Sequence, residues 1–319
     1  HAVLWSAQGT IHDLGTLGGK YSVSQAINGH GQVVGVAENA IPDPYNFFDY
    51  QVRGISGGTQ SRAFLWDPKT RKMGDLGTLG TGNDAFAAFV NESGQVAGYS
   101  YTNTTPNSGN TFWCGNDVPT TDPFFWDGTK MWDVGSLGGT CGIANGLNNR
   151  GQVIGVSYLA GNIFQHGFRW DKKAGLQDLR TLGGNYSGTY GISNAGDALG
   201  WANLTGDQVF HAVIWKKGKT KPTDLGVVTG YRNSIAQAID SSGQIIGCLS
   251  NTNVCDSHAA AFLWENGNMV DLNTLVPPHP GVQLTGGDEY INEQGEILTS
   301  GTLSDGDNHA FLLIPKRTR

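Results

Sequence analysis

The sequence predicts an all-β fold, a β-propeller of four-stranded antiparallel blades, and three observations carry that prediction. One block of residues recurs along nearly the whole 319-residue chain, glycines fall at fixed places in it, and no window sustains a helical apolar period. Self-similarity of this kind marks an array in which each unit buries its apolar face against its neighbours. The 48 glycines stand at repeat positions beside only 11 prolines, so neither a collagen-like nor a disordered chain fits.

Each unit offers four short strands, A to D. Strand A is a stretch such as Ser24-Gln25-Ala26-Ile27, and strand B is Gln32-Val33-Val34-Gly35-Val36. Between them lies Asn28-Gly29-His30-Gly31, which returns as Asn91-Glu92-Ser93-Gly94, Asn148-Asn149-Arg150-Gly151, Asp240-Ser241-Ser242-Gly243 and Asn292-Glu293-Gln294-Gly295. An Asn or Asp that opens a tight turn, with Gly where φ must be positive, makes a hairpin connection. Strand C ends in Trp5, Trp66, Trp126, Trp170, Trp215 and Trp264, spaced 61, 60, 44, 45 and 49 residues apart. Strand D carries Asp13, Asp75, Asp133, Asp178, Asp224 and Asp271. Units of that length hold four strands each. Burial of the tryptophans between units should supply much of the stability.

An inventory sets the blade number. Gly31, Gly94, Gly151, Gly196, Gly243 and Gly295 mark six A–B hairpins, whereas strand C occurs seven times, the last as His309-Ala310-Phe311-Leu312-Leu313. The counts favour seven blades with one incomplete in this chain; six blades with one redundant strand is the alternative. Residues 1–319 then read as a single propeller domain, with long insertions at 39–61 and 102–121 in two B–C loops. The chain starts in mid-unit without Met or a signal peptide, which reads as a processed or cropped N-terminus.

Three linked motifs run in fixed order: His-Ala-Phe-Leu-Trp, Asp-Leu-Gly-Thr-Leu-Gly-Gly and Ala-Ile-Asn-x-x-Gly-Gln-Val-Val-Gly. Together they resemble the HAF family of bacterial extracellular repeats over essentially the whole chain. The pattern is broken at Arg62 and Asp122, where the His is lost, and at His258-Ala259-Ala260-Ala261, where it is lengthened. The resemblance implies secretion and a repeat fold, and it transfers no catalytic residues.

Charge narrows the partners. A net charge of −7 and only 15% Asp, Glu, Lys and Arg argue against nucleic acid, which requires a basic face. The basic clusters Lys216–Lys221 and Lys316–Arg319 read as a solvated turn and a chain end. No apolar run approaches the roughly 18 residues of a membrane span. Cys248 and Cys255 flank six residues, a spacing that fits a bridge closing a short loop, and Cys114 and Cys141 pair by default. Two disulfides place the chain in an oxidising compartment, secreted or at the cell surface.

A binding site is expected where the repeat is broken. Insertion 39–61 carries Asp43, Tyr45, Asp49, Tyr50 and Arg53; insertion 102–121 carries Asn110, Phe112, Trp113 and Asp117. Aromatic faces beside Asn and Asp suit a glycan, and they equally suit a long loop packing on itself. Insertions on a rigid scaffold are where binding tends to reside. The recurring His and Asp residues read as structural, since each is used alike in every unit. No nucleophile elbow, zinc motif or phosphate loop occurs, so no catalytic residue is assigned. No cofactor is expected; calcium enters only through Asp43 with Asp49 or through Ser304-Asp305-Gly306-Asp307-Asn308, and the latter reads better as a turn.

The favoured function is a secreted, non-catalytic module that binds a glycan or an extracellular protein. Its rival is a polysaccharide-active hydrolase or lyase, which requires two carboxylates about 5–10 Å apart across a cleft. A third reading is self-assembly into a homo-oligomer through an exposed blade edge.

Overall fold

The computed structural model describes residues 1–43, 58–255, 259–277 and 281–316. Apart from one 3-10 turn at Leu272–Thr274, every regular element among them is a β-strand. The chain divides into two compact units, His1–Phe164 with Arg169–Leu176, and Gln165–Phe168 with Gln177–Arg319.

The first unit begins with a two-stranded ribbon, β1 (Val3–Trp5) and β2 (Ile11–Asp13), which correspond to strands C and D. A four-stranded antiparallel sheet follows, in the order β3 (Gly18–Ile27), β4 (Val33–Pro42), β5 (Thr59–Asp67) and β6 (Lys72–Asp75). The next sheet contains β7 (Ala85–Val90), β8 (Val96–Pro106), β11 (Pro119–Trp126) and β12 (Met131–Asp133). Between β8 and β11 the chain throws out a small hairpin, β9 (Asn110–Thr111) and β10 (Gly115–Asn116). The hairpin of β13 (Gly138–Leu147) and β14 (Val153–Leu159) joins β11 through one parallel bridge, Thr121 opposite Cys141. Residues of β15 (Gln165–Asp171) and β16 (Gly175–Leu179) are shared between the two units.

The second unit holds two further four-stranded sheets. They are β17 (Gly183–Ile192), β18 (Ala198–Leu204), β19 (Phe210–Trp215) and β20 (Thr223–Gly226), then β21 (Asn233–Ile239), β22 (Ile245–Ser250), β23 (Ala260–Glu265) and β24 (Asn268–Asp271). Its last sheet has three strands, β25 (Val282–Ile291), β26 (Ile297–Leu303) and β27 (Asn308–Leu313). The chain is thus all-β, with successive four-stranded antiparallel sheets in the A–B–C–D order expected.

Recurring residues make recurring joints. In the A–B turns the Asn28 carboxamide oxygen accepts from the His30 and Gln32 amides at 3.1 and 3.0 Å. Its Nδ2 donates onward to the Asn91 carbonyl at 2.9 Å, and Asn91 repeats this to the Asn148 carbonyl at 3.0 Å. One side chain therefore shapes its own turn and fastens the next. The Ser of strand A makes a second joint. Ser22 Oγ accepts from the Ala2 amide and donates to the Gly15 carbonyl; Ser234 does the same with Ala212 and Gly226.

Strand-B glycines answer a steric demand. A Cβ on Gly98 would lie 1.9 Å from the Phe86 carbonyl oxygen and 2.9 Å from the Phe124 ring; on Gly35 it would meet Val23 and Phe64 in the same way. The close approach lets each strand-C Phe lie across the A–B pair. A β-bulge recurs in strand A at Ser24/Ala26, Ala87/Phe89, Ala144/Gly146, Thr189/Gly191 and Ala236/Ala238, adding local twist at one level in each hairpin.

The tryptophans divide by what covers them. Trp66, Trp170 and Trp215 are buried, and Trp215 Nε1 donates to the Arg180 carbonyl at 3.0 Å. Trp5, on the two-stranded β1–β2 ribbon, is 62% exposed.

Candidate functional site

The strand-C histidines and strand-D aspartates find each other. His1 Nδ1 lies 2.8 Å from Asp13, His166 Nδ1 2.7 Å from Asp178 and His211 Nδ1 2.9 Å from Asp224. Where the His is lost, Arg62 Nε takes its place 3.1 Å from Asp75. Each Asp that reaches a glycine amide two residues on also closes a turn, as in Asp13 to Gly15 and Asp75 to Gly77, both at 2.8 Å. Each such pair ties strand C to strand D within one C–D ladder. Among the described residues no group of three or more His, Cys, Asp or Glu is arranged to hold a metal ion.

The second insertion is the better-defined departure from the repeat. Strand β8 runs on to Pro106 and β11 starts at Pro119, so the excursion is shorter than 102–121 and its stem is sheet. Its tip is the β9–β10 hairpin, closed by Asp117, whose amide donates to the Gly109 carbonyl at 3.1 Å and whose Oδ1 accepts from the Gly109 amide at 3.3 Å. Asp117 is thereby committed to the hairpin base. Asn110 pairs across the hairpin with Asn116. Trp113 packs against the apolar cluster of Tyr101, Cys114, Cys141 and Tyr158, so the loop uses it as an anchor. Phe112 does the opposite: its side chain is 80% exposed, although its amide donates to Tyr158 Oη at 3.1 Å. The rings of Phe112 and Trp113 meet edge to face with centroids 5.1 Å apart. Cys114 is bridged to Cys141 with the Cα atoms 5.9 Å apart, which pins the hairpin to β13. The second bridge joins Cys248 and Cys255, with Cα atoms 6.1 Å apart.

Of the first insertion, Tyr45, Asp49, Tyr50 and Arg53 lie outside the described residues. Its two stems extend the sheet, β4 to Pro42 and β5 from Thr59. Asp43 sits at the stem and is buried, accepting from Asn83 Nδ2 at 2.6 Å. It also shares a hydrogen bond with the carboxyl of Asp84. Asp84 is 1% exposed and accepts from the Ser61 amide at 2.6 Å. Burial, reinforced by the hydrogen bond and charge of Asp43, pushes the Asp84 carboxyl up to about 9. That upward shift favours the protonated form of Asp84 beside Asp43. Burial, and then the charge of Asp84 and Asp43, pushes the Tyr101 phenol upward.

Sequence reasoning did not single out Asp84 or Asn83, and it named Phe112 only among the aromatics of the second insertion. The available signal was Leu79-Gly80-Thr81-Gly82, where Thr81 interrupts the Leu-Gly-Gly found at 17–19, 137–139 and 182–184.

No family model matches the chain, and neither does any curated protein sequence. Solved structures do. A Pyrococcus horikoshii acylaminoacyl peptidase aligns over 98% of this chain and 46% of its own, with 10% identity and a TM-score of 0.51. A prolyl endopeptidase aligns over the same 98% and 46%, with 11% identity and a TM-score of 0.50. The chain spans about half the length of the structures it matches, and at this identity the likeness is one of fold.

Proposed function

We propose that this chain is a β-propeller with HAF-type repeats that works as an extracellular, non-catalytic binding module. Its A–B–C–D sheets and its likeness in fold to a part of two larger proteins support the architecture. Two disulfides support an oxidising compartment. The observation that carries the binding reading is Phe112. A large ring left 80% exposed on a hairpin that is disulfide-pinned, anchored by Trp113 and fastened to Tyr158 is a preformed contact. Such a ring stacks on a sugar face or an apolar side chain with little ordering cost. The ligand is a glycan or an extracellular protein surface. Glycan-array binding of the wild type and of Phe112→Ala tests this: the variant should lose most of its signal with its melting temperature unchanged. Equal signal from both removes the hairpin from recognition.

A polysaccharide hydrolase is the second reading, and the Asp43–Asp84 pair favours it. A carboxylic acid kept protonated beside a second carboxyl is an arrangement that can serve acid catalysis. The burial of both groups fits a structural latch at the insertion stem better. Asp84→Asn should leave reducing-end release from a polysaccharide panel at the blank level of the wild type. Release by the wild type that Asp84→Asn abolishes would establish the enzyme instead.

A further inference from the structure

Polar atoms converge where the first insertion leaves its sheet. Asp43 directly follows β4, and Asn83 with Asp84 directly precedes β7. All three side chains are buried, Asp84 most completely. Asn83 Nδ2 donates to Asp43 Oδ1 and the Ser61 amide donates to Asp84 Oδ1, each at 2.6 Å. Both contacts are shorter than the common N–H···O separation of about 2.9 Å. Arg62, whose charge acts on Asp84, is already held by Asp75 Oδ2 at 3.1 Å and by the Asn83 carbonyl at 3.2 Å.

Two buried oxygens at this point have no hydrogen-bond partner among the described residues, Asn83 Oδ1 and Asp84 Oδ2. The first belongs to the carboxamide that touches Asp43. The second is the oxygen left over once Asp84 Oδ1 has taken the Ser61 amide. A buried polar atom without a partner calls for a physical cause, and a bound ion is one. The chemistry of the set points to which ion. Its atoms are all oxygen, which suits calcium and not zinc. Two carboxylates balance a divalent charge, and calcium accepts an amide oxygen and water beside them in a flexible shell.

We propose that Asp43, Asn83 and Asp84 form a calcium site that fastens the stem of insertion 39–61 to the start of β7. The carboxylates supply the charge, Asn83 Oδ1 supplies a neutral ligand, and water completes the shell. The ion thereby ties the first four-stranded sheet to the second. This inference does not rest on the Phe112 hairpin.

The full chain, stripped with EDTA, tests it by calorimetric titration with calcium chloride and by thermal melts with and without the ion. One saturable site is expected. The melting temperature should rise by about 5 °C once calcium stands roughly a hundredfold above its Kd. Asp84→Asn keeps the size of the side chain and should lose both the heat and the shift. Asn83→Ala removes only the neutral ligand and should weaken binding roughly tenfold or more. A wild type that gives neither heat nor shift overturns the inference, as does an Asp84→Asn chain that binds calcium as the wild type does. Should Asp84→Asn not fold, Asn83→Ala decides alone, and an unchanged affinity there overturns the inference.

Discussion

Asp122 faces Asp133 at the place where His166 meets Asp178 and Arg62 meets Asp75. Strand β11 pairs with β12 so that Phe124 lies opposite Asp133, and Asp122 occupies the His position two residues before it. Burial, and then the charge of Asp133, pushes the Asp122 carboxyl up to about 7. One C–D ladder therefore has two acids where other ladders have a His–Asp or Arg–Asp pair.

The sign of the resulting pH dependence follows from that upward shift. A carboxyl with a folded value above its ordinary 3.8 binds its proton more tightly in the native chain. Its contribution to stability is complete below pH 4 and is lost as pH rises through about 7. Asp84 acts in the same sense up to about 9. Urea unfolding should show wild-type stability falling between pH 5 and 8. Asp122→Asn should be the more stable chain at pH 8 by about 2 kcal/mol and nearly equal to wild type at pH 4. Asp122→His, which restores the repeat's pair, should match or exceed that gain at pH 8.

Asn91 carries the turn and the joint at once. Its Oδ1 accepts from the Ser93 and Gln95 amides, both at 3.0 Å, while its Nδ2 donates to Gln95 Oε1 and to the Asn148 carbonyl at 2.7 and 3.0 Å. Asn91→Ala should cost about 2–3 kcal/mol, since buried partners are left unsatisfied. Asn91→Asp keeps the acceptor half and should cost less. Chemical denaturation of the two variants measures the difference.

Two glycines separate packing from backbone conformation. Gly98→Ala forces a Cβ into the Phe86 carbonyl and should cost about 3 kcal/mol or more. Gly128 has φ +103° with open space around it, so Gly128→Ala bears only the backbone penalty of about 1–2 kcal/mol. Paired thermal melts would rank them.

The long disulfide should matter more than the short one. Cys114 and Cys141 enclose a separation of 27 residues and Cys248 and Cys255 one of 7. Loop entropy gives about 3.5 kcal/mol for the first and about 2.4 kcal/mol for the second. Replacing both cysteines of each pair by alanine and comparing unfolding midpoints checks the order. Cys114 and Cys141 are buried, so maleimide should label the reduced native protein slowly at this pair.

How far a sequence reveals such a molecule depends on whether a residue acts through its own unit. Asn28, Asp13 and Gly31 make local turns, and the hairpins, strands and pairing order could be read from them directly. The two disulfides fell out of spacing and elimination. Asp84 could not be found that way, because its partner Asp43 lies forty-one positions earlier across an insertion whose path no periodicity encodes. Trp113 and Phe112 are neighbours of the same chemical kind, yet the hairpin turns one inward and leaves the other in solvent. Asp122 was visible as an exception to the repeat, but the significance of the exception required its burial and the approach of Asp133.

The linked carboxamides of Asn28, Asn91 and Asn148 bear on how such a chain can lengthen or shorten. Each of the first two turns offers an amide plug forward, and the turn after it offers a carbonyl socket. A tandem duplication that copies a whole unit therefore carries both halves of the coupling with it. The new module meets its neighbours without any compensating mutation, which leaves the loops free to diverge while the frame multiplies.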